Sequence, residues 1–199
     1  MRKFVVATKN KGKLREIKEI LQNFTFDVIP MEEAGINIEI VENGKTFEEN
    51  AIIKARGIQK LTGEIVMADD SGLEVDYLNG APGIYSARFA GEGASDQDRV
   101  KKLLGLLKEV PFENRTARFV CAVAVVFPGE SSFVVRGTCE GYISLKPEGD
   151  KGFGYDPVFF LPEYDKTIAQ MQAEEKNRIS HRGRALRLMI EELGKISTN

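Results

Sequence analysis

Two adjacent carboxylates, Asp69 and Asp70, follow the apolar run Ile65-Val66-Met67-Ala68 and precede Ser71-Gly72. An apolar run without alternation reads as a strand covered on both faces, and ligands of open α/β sheets collect where such strands end. Carboxylates about 4 Å apart repel by roughly 1 kcal/mol in water and several-fold more in a cleft, so the pair calls for a proton or a divalent cation. Successive strand residues face opposite ways. Both acids can meet one ligand only if the backbone bends at Ser71-Gly72; otherwise one of them is structural. Read alone, the stretch also fits a turn closed by an Asx hydrogen bond.

A second group is basic. Thr8-Lys9-Asn10-Lys11-Gly12-Lys13 joins a predicted strand, Lys3 to Ala7, to a helix with the stripe Leu14, Ile17, Ile20 and Leu21. Amides at a helix start carry partial positive charge, Gly12 permits close approach, and three lysines add full charges, a combination suited to a polyphosphate. It is not a Walker loop, which needs two spaced glycines followed by Lys and Ser or Thr. A third group is Phe153-Gly154-Tyr155-Asp156-Pro157, framed by Gly149 and Gly152. Aromatics on a glycine loop can stack a nucleobase for roughly 1–3 kcal/mol, with Asp156 accepting from ring nitrogens; the alternative is a bulge with buried aromatics.

The elements that must carry these groups follow from pattern. Ile36 to Val41 alternates with Asn37 and Glu39 and predicts a strand that delivers Glu42 to its end, before a turn at Asn43-Gly44. If that end lies beside Asp70, Glu42 joins the metal site. Thr46 to Glu49 reads as a capping box opening a helix whose buried face is Phe47, Ala51, Ala55 and Ile58, while Asn50 and Lys54 share another, solvated face. Leu73, Val75 and Tyr77 alternate ahead of the turn Asn79 to Gly83. Ser95 caps a helix with the stripe Val100, Leu103, Leu104 and Leu107. Thr116 to Phe127 and Phe133 to Gly141 form an antiparallel hairpin across Pro128-Gly129-Glu130-Ser131, so the sheet is mixed. A further helix starts at Thr167 and runs to about Asn177, with Lys176 near its end. Ser180 then caps the closing helix, and His181 and Arg182 sit where the helix dipole disfavours cations, which points to function.

Composition narrows the classes. The 199 residues, 42% hydrophobic and 29% charged, bury one substantial core, and the chain reads as one α/β domain over residues 1–199. With 28 basic against 30 acidic residues, no global field attracts nucleic acid or an anionic membrane. Behind Met1-Arg2-Lys3 the apolar run is too short for a signal peptide or membrane span, and a cytoplasmic protein is expected. Two cysteines, Cys121 and Cys139, make no disulfide framework, and a single histidine leaves no histidine-rich zinc site. A catalytic metal would have oxygen ligands, hence magnesium or manganese.

Several blocks in order resemble the inosine triphosphate pyrophosphatase family. They are Ala7 to Asn10 with Lys13; Glu42; Phe47, Glu49-Asn50-Ala51 and Lys54-Ala55; Ala68 to Leu73; Gly80 to Arg88; Phe153 to Phe159; and Ser180 to Arg182. The resemblance implies an elongated mixed sheet flanked by helices, two lobes with the active cleft between them, and a homodimer. It also implies hydrolysis of ITP, dITP and XTP to the monophosphate and pyrophosphate, removing them from the nucleotide pool. On that basis Thr8 to Lys13 and Lys54 hold the triphosphate, Glu42 and Asp70 hold magnesium with Asp69 nearby, and Asp70 accepts the proton of the attacking water. Ser71 bonds phosphate or ribose, Phe153 stacks on the purine, and Gly154, Tyr155, Asp156, Lys176, His181 and Arg182 surround the base. A nucleotide-binding regulator without turnover is the rival reading, and the carboxylates argue against it.

Overall fold

The computed structural model describes residues 3–23, 25–129 and 131–197. Met1, Arg2 and Glu130, singled out above, lie outside the described residues. A seven-stranded sheet has the order β2-β1-β3-β4-β5-β6-β7, comprising β1 (Lys3–Val6), β2 (Asp27–Pro30), β3 (Ile65–Val75), β4 (Thr116–Val126), β5 (Ser132–Ile143), β6 (Phe159–Leu161) and β7 (Lys166–Thr167). β1 pairs in parallel with both β2 and β3, whereas β5–β6 and β6–β7 are antiparallel, so the sheet is mixed as predicted. The helices are α1 (Lys11–Ile20), α2 (Phe47–Thr62), α3 (Asp96–Leu106), α4 (Ala173–Ile179) and α5 (His181–Ser197). None is long and apolar enough to cross a membrane.

The chain divides into two compact units. The first comprises Met1–Asp70, Cys121–Gly137 and His181–Asn199. Its core joins Phe4 and Val6 of β1, Ile17 of α1, Met67 of β3, Val123 of β4, and Leu186 and Met189 of α5. Parallel strands buried on both faces need helical crossovers, and α1 and α2 supply them. The second comprises Ser71–Val120 and Thr138–Ser180. Here Leu73, Leu103, Phe119, Ile143 and Phe159 form the core, with the Phe119 and Phe159 rings 4.5 Å apart. Arg115 is buried there, and its guanidinium donates to the carbonyls of Leu107, Val110 and Ser144.

Three local expectations are corrected. Residues 36–44 form no strand, so Glu42 sits on irregular chain. The alternation is real, but Ile40 spends it packing over Gly57 of α2, where a Cβ would come within 2.7 Å of the Ile40 Cδ1, and Ile38 and Val41 remain exposed. β3 does not end at the acidic pair; it runs on through Ser71-Gly72 to Val75, placing both acids in mid-strand. The helix from Thr167 is broken. Thr167 and Gln170 form their capping box, but the box opens only the short 3-10 turn Ile168–Gln170, and α4 starts separately at Ala173.

Candidate active site

The basic loop is built as its sequence demands. Asn10 caps α1, its side chain accepting from the Lys13 amide at 3.0 Å, and Thr8 Oγ1 accepts from the Asn10 amide at 3.2 Å. Lys11, Gly12 and Lys13 therefore occupy the first helical turn rather than a loop, and that turn carries no acid to oppose an incoming anion. Lys9 and Lys11 are exposed. A cavity of about 130 Å³ is lined by Thr8, Lys9, Glu42 and Lys54, with Met31, Ile38, Ile40 and Ile58 as its apolar wall.

Asp69 and Asp70 face different partners, as strand alternation requires. Asp69 is buried, and its Oδ2 lies 3.0 Å from Lys13 Nζ and 3.3 Å from Arg182 Nη2. Burial alone would raise its pKa, but Lys13, Arg182 and Lys54 together outweigh burial and hold the carboxyl far below the usual range. Arg182 pairs in addition with the buried Glu16. Burial works against its charge, but the two carboxylates prevail and raise its pKa further. Asp69 is thus the structural member of the pair. The Cys121 thiol, 4.0 Å from the same Oδ2, is pushed up to about 12 by burial and then by Asp69.

Asp70 is different. It is only half-buried, and its Oδ2 accepts from Asn50 Nδ2 at 3.1 Å. Burial raises its pKa and Glu42 adds to the rise, while Lys13, Lys54 and Asn50 offset only part of it, so the carboxyl stands above its ordinary value. Lys54 Nζ bridges Glu42 Oε1 and the Asp69 carbonyl, each at 3.0 Å. Among the described residues no three acidic, histidine or cysteine side chains form a metal-holding group. Of the three expected metal residues, Asp69 is engaged by Lys13 and Arg182, and Glu42 by Lys54. Asp70 and Glu42, two carboxylates that repel one another, do fit a hard cation that takes its remaining oxygens from phosphate and water.

In the second unit the half-buried ring of Phe153 carries Lys176 Nζ 4.7 Å from its centroid. Lys176 is itself buried and pairs with Asp156 Oδ2 at 2.5 Å, and the same oxygen accepts from the Phe153 amide at 2.9 Å. Gly152, at φ +77°, allows this: a Cβ there would lie 2.0 Å from Asp156 Oδ2. A side chain at Gly152 would displace Asp156 and the Phe153 amide that it holds. The Gly154 amide donates to Asp96 Oδ2 at 2.6 Å, tying the loop to α3. Ser71 lies half-buried on β3.

Two of the residues expected at the base edge are engaged elsewhere in this structure. Tyr155 belongs to the core, 4% exposed, and its hydroxyl donates to the Ser86 carbonyl at 2.9 Å; burial lifts the phenol pKa further. Arg182 is 1% exposed and its guanidinium is spent on Asp69 and Glu16, since a buried cation among two buried acids has no cheaper position. His181 is buried at the first position of α5. Sequence reading missed Glu16 and Asp96 and set Asn50 on a solvated face, whereas the structure buries it. Asn50 left a signal, a polar residue three places after Phe47 on the buried stripe of α2. Glu16 follows Lys13 by three on α1, a spacing that places them on one face but says nothing of Arg182.

The model of the Ham1 family matches residues 4–192. The dITP/XTP pyrophosphatase of Bacillus licheniformis is 52% identical over 187 residues, covering 94% of this chain and 95% of its own. Among solved structures, a HAM1 protein from Coxiella burnetii superposes with a TM-score of 0.89 at 41% identity, covering 98% of this chain and 100% of that one. The Ham1 protein of Staphylococcus aureus gives 0.87 at 43%, covering 98% and 99%.

Proposed function

The chain belongs to the Ham1 family, and from that premise we propose that it hydrolyses dITP, ITP and XTP to the nucleoside monophosphate and pyrophosphate. The observation that carries the chemistry is Asp70, a half-buried carboxylate of raised pKa held beside Glu42 and the basic loop. Thr8, Asn10 and the first turn of α1 receive the phosphates, with Lys9, Lys11, Lys13 and Lys54 supplying charge. Water attacks the α-phosphorus; the new P–O bond forms as the bond to the β-phosphate bridge breaks, and Asp70 takes the proton of the water. A divalent cation held by Glu42 and Asp70, magnesium or manganese, would neutralise the phosphates and the leaving pyrophosphate. Because a carboxylate that also serves a cation is a weak base, most of the acceleration comes from positioning and charge stabilisation.

At the base end, Phe153 stacks on the purine through the face opposite Lys176. Lys176 and Asp156 address the purine edge in place of Tyr155 and Arg182. A 6-keto oxygen accepts from a buried cation, whereas the 6-amino group of adenine, itself a donor, leaves that partner unsatisfied at about 1–3 kcal/mol. The proposal extends to a homodimer, by family resemblance, and to a cytoplasmic location, supported by the buried thiols of Cys121 and Cys139, which no disulfide joins. Product analysis tests the whole reading: dITP, XTP, dATP and dGTP, each with magnesium, with manganese and with chelator, scoring pyrophosphate and orthophosphate separately. Metal-dependent release of pyrophosphate from dITP and XTP, at least about tenfold faster than from dATP, is expected. Orthophosphate release, or binding without turnover, overturns the bond and the role of Asp70.

A further inference from the structure

Asn50 sits in the second turn of α2, 4% exposed, on a stripe otherwise made of Phe47, Ala51, Ala55 and Ile58. A carboxamide there is a poor choice for packing and for helix propensity, so it needs partners at both ends of its side chain. It has them. Oδ1 accepts from the Gly44 amide at 2.8 Å and Nδ2 donates to Asp70 Oδ2 at 3.1 Å. A backbone amide can only donate, so the carbonyl end must face Gly44 and the amino end must face Asp70; the orientation is dictated rather than chosen. Gly44 is pressed against the helix, where a Cβ would lie 2.7 Å from Asn50 Oδ1 and from Glu49 Cβ. One turn further along, Lys54 clasps Glu42 and the Asp69 carbonyl. Both carboxylates of the site are thus held from one helix, Glu42 by Lys54 and Asp70 by Asn50, with Gly44 tying the Glu42 segment to the same amide.

We propose that Asn50 is a positioning residue: it fixes the plane of the Asp70 carboxylate and couples that plane to the segment carrying Glu42. The inference rests on the hydrolase reading above and adds a residue that does not itself touch substrate. A carboxylate held at one oxygen cannot rotate out of line with the attacking water, and small misplacements at a reacting centre cost far more in turnover than in binding.

Asn50→Asp separates positioning from support. It keeps the size and the acceptor for the Gly44 amide, but it exchanges the donor to Asp70 for an acceptor and places a negative charge beside that carboxylate, so Asn50→Ser, which adds no charge, is measured with it. Positioning predicts that kcat for dITP falls at least about tenfold while KM stays within about threefold, with a melting temperature still well above the assay temperature. If Asn50 only supports the Glu42 segment, the acceptor retained in Asn50→Asp makes it more active than Asn50→Ser, and that order overturns the proposal. A kcat within about threefold of wild type, or a fall matched by an equal rise in KM, overturns the proposal. A fall in kcat confined to Asn50→Asp is the effect of its charge and also overturns the proposal; if Asn50→Asp is unfolded at the assay temperature, Asn50→Ser is read alone on the same criteria. Nucleotide affinity measured by calorimetry in chelator should be retained in whichever variant is used, and its loss also overturns the proposal. Wild-type turnover of dITP in the same assay distinguishes the two failures. Without it the hydrolase reading falls and takes this inference with it; with it, an unaffected variant removes this inference alone.

Discussion

Asp70→Asn should lower kcat for dITP by about 10²–10⁴-fold, the range for loss of a positioned proton acceptor, while leaving nucleotide binding intact. The same substitution should stabilise the cation-free protein at neutral pH. Burial, then Glu42, raise the pKa of Asp70 in the fold above its ordinary value of 3.8. Such a group contributes stability below its unfolded pKa and loses that contribution as pH rises through the higher folded value, so at neutral pH its charge is a cost. The substituted amide carries no charge, and its oxygen can still accept from Asn50. Each kcal/mol recovered would raise Tm by about 2–4 °C in a chain of this size. Kinetics with dITP and melting in chelator between pH 5 and 8 measure both effects. Full activity would move the catalytic role elsewhere, and a Tm lowered at neutral pH would contradict the buried-charge account.

Arg182→Met is expected to have the largest effect on stability. The methionine fills much of the space but leaves Asp69 and Glu16 as buried acids without their shared cation. Removing one partner of a buried ion pair costs about 3–5 kcal/mol, a large share of the roughly 5–15 kcal/mol that holds a domain together, and corresponds to a fall in Tm of about 6–20 °C. The pH dependence should also weaken. In the native protein Asp69 has a depressed pKa, so its contribution is present above the unfolded value and is lost only as pH falls through the folded one. In the variant Asp69 keeps Lys13 but loses Arg182, so its pKa is depressed less and the stability it loses on acidification is smaller. Melting curves from pH 7 down to pH 2 follow this directly, and a second substitution, Glu16→Gln, should restore part of the loss of stability. An unchanged Tm would mean that Arg182 is not the counter-ion of the buried acids.

What lay close together in the chain was legible. The basic turn at Thr8 to Lys13, the caps Thr46 and Ser95, the buried stripes of α1, α2 and α3, and the mixed sheet follow from side-chain period, capping chemistry and turn residues, all of which act within a few positions. The capping box of α2 is itself a compromise: Thr46 accepts from the Glu49 amide, but Glu49 reaches back to the Lys45 amide. Where local pattern met a competing tertiary demand, it yielded. Ile36 to Val41 alternates like a strand yet packs on Gly57, and the box at Thr167 caps a single 3-10 turn.

By itself the sequence determined that Asp69 and Asp70 point in opposite directions if the strand runs on without a bend, because a strand alternates, and that one of them is then structural. Residue pattern alone could not say which. That was decided by partners far away in the chain, Arg182 at a separation of 113 residues from Asp69 and Glu16 at 166 from Arg182. Charges brought together by folding set each carboxyl's pKa, and no spacing along the chain encodes their distances. The tertiary structure gave Asp69 its cations and left Asp70, held by Asn50 and within the field of Glu42, as the acid to which we assign the chemistry.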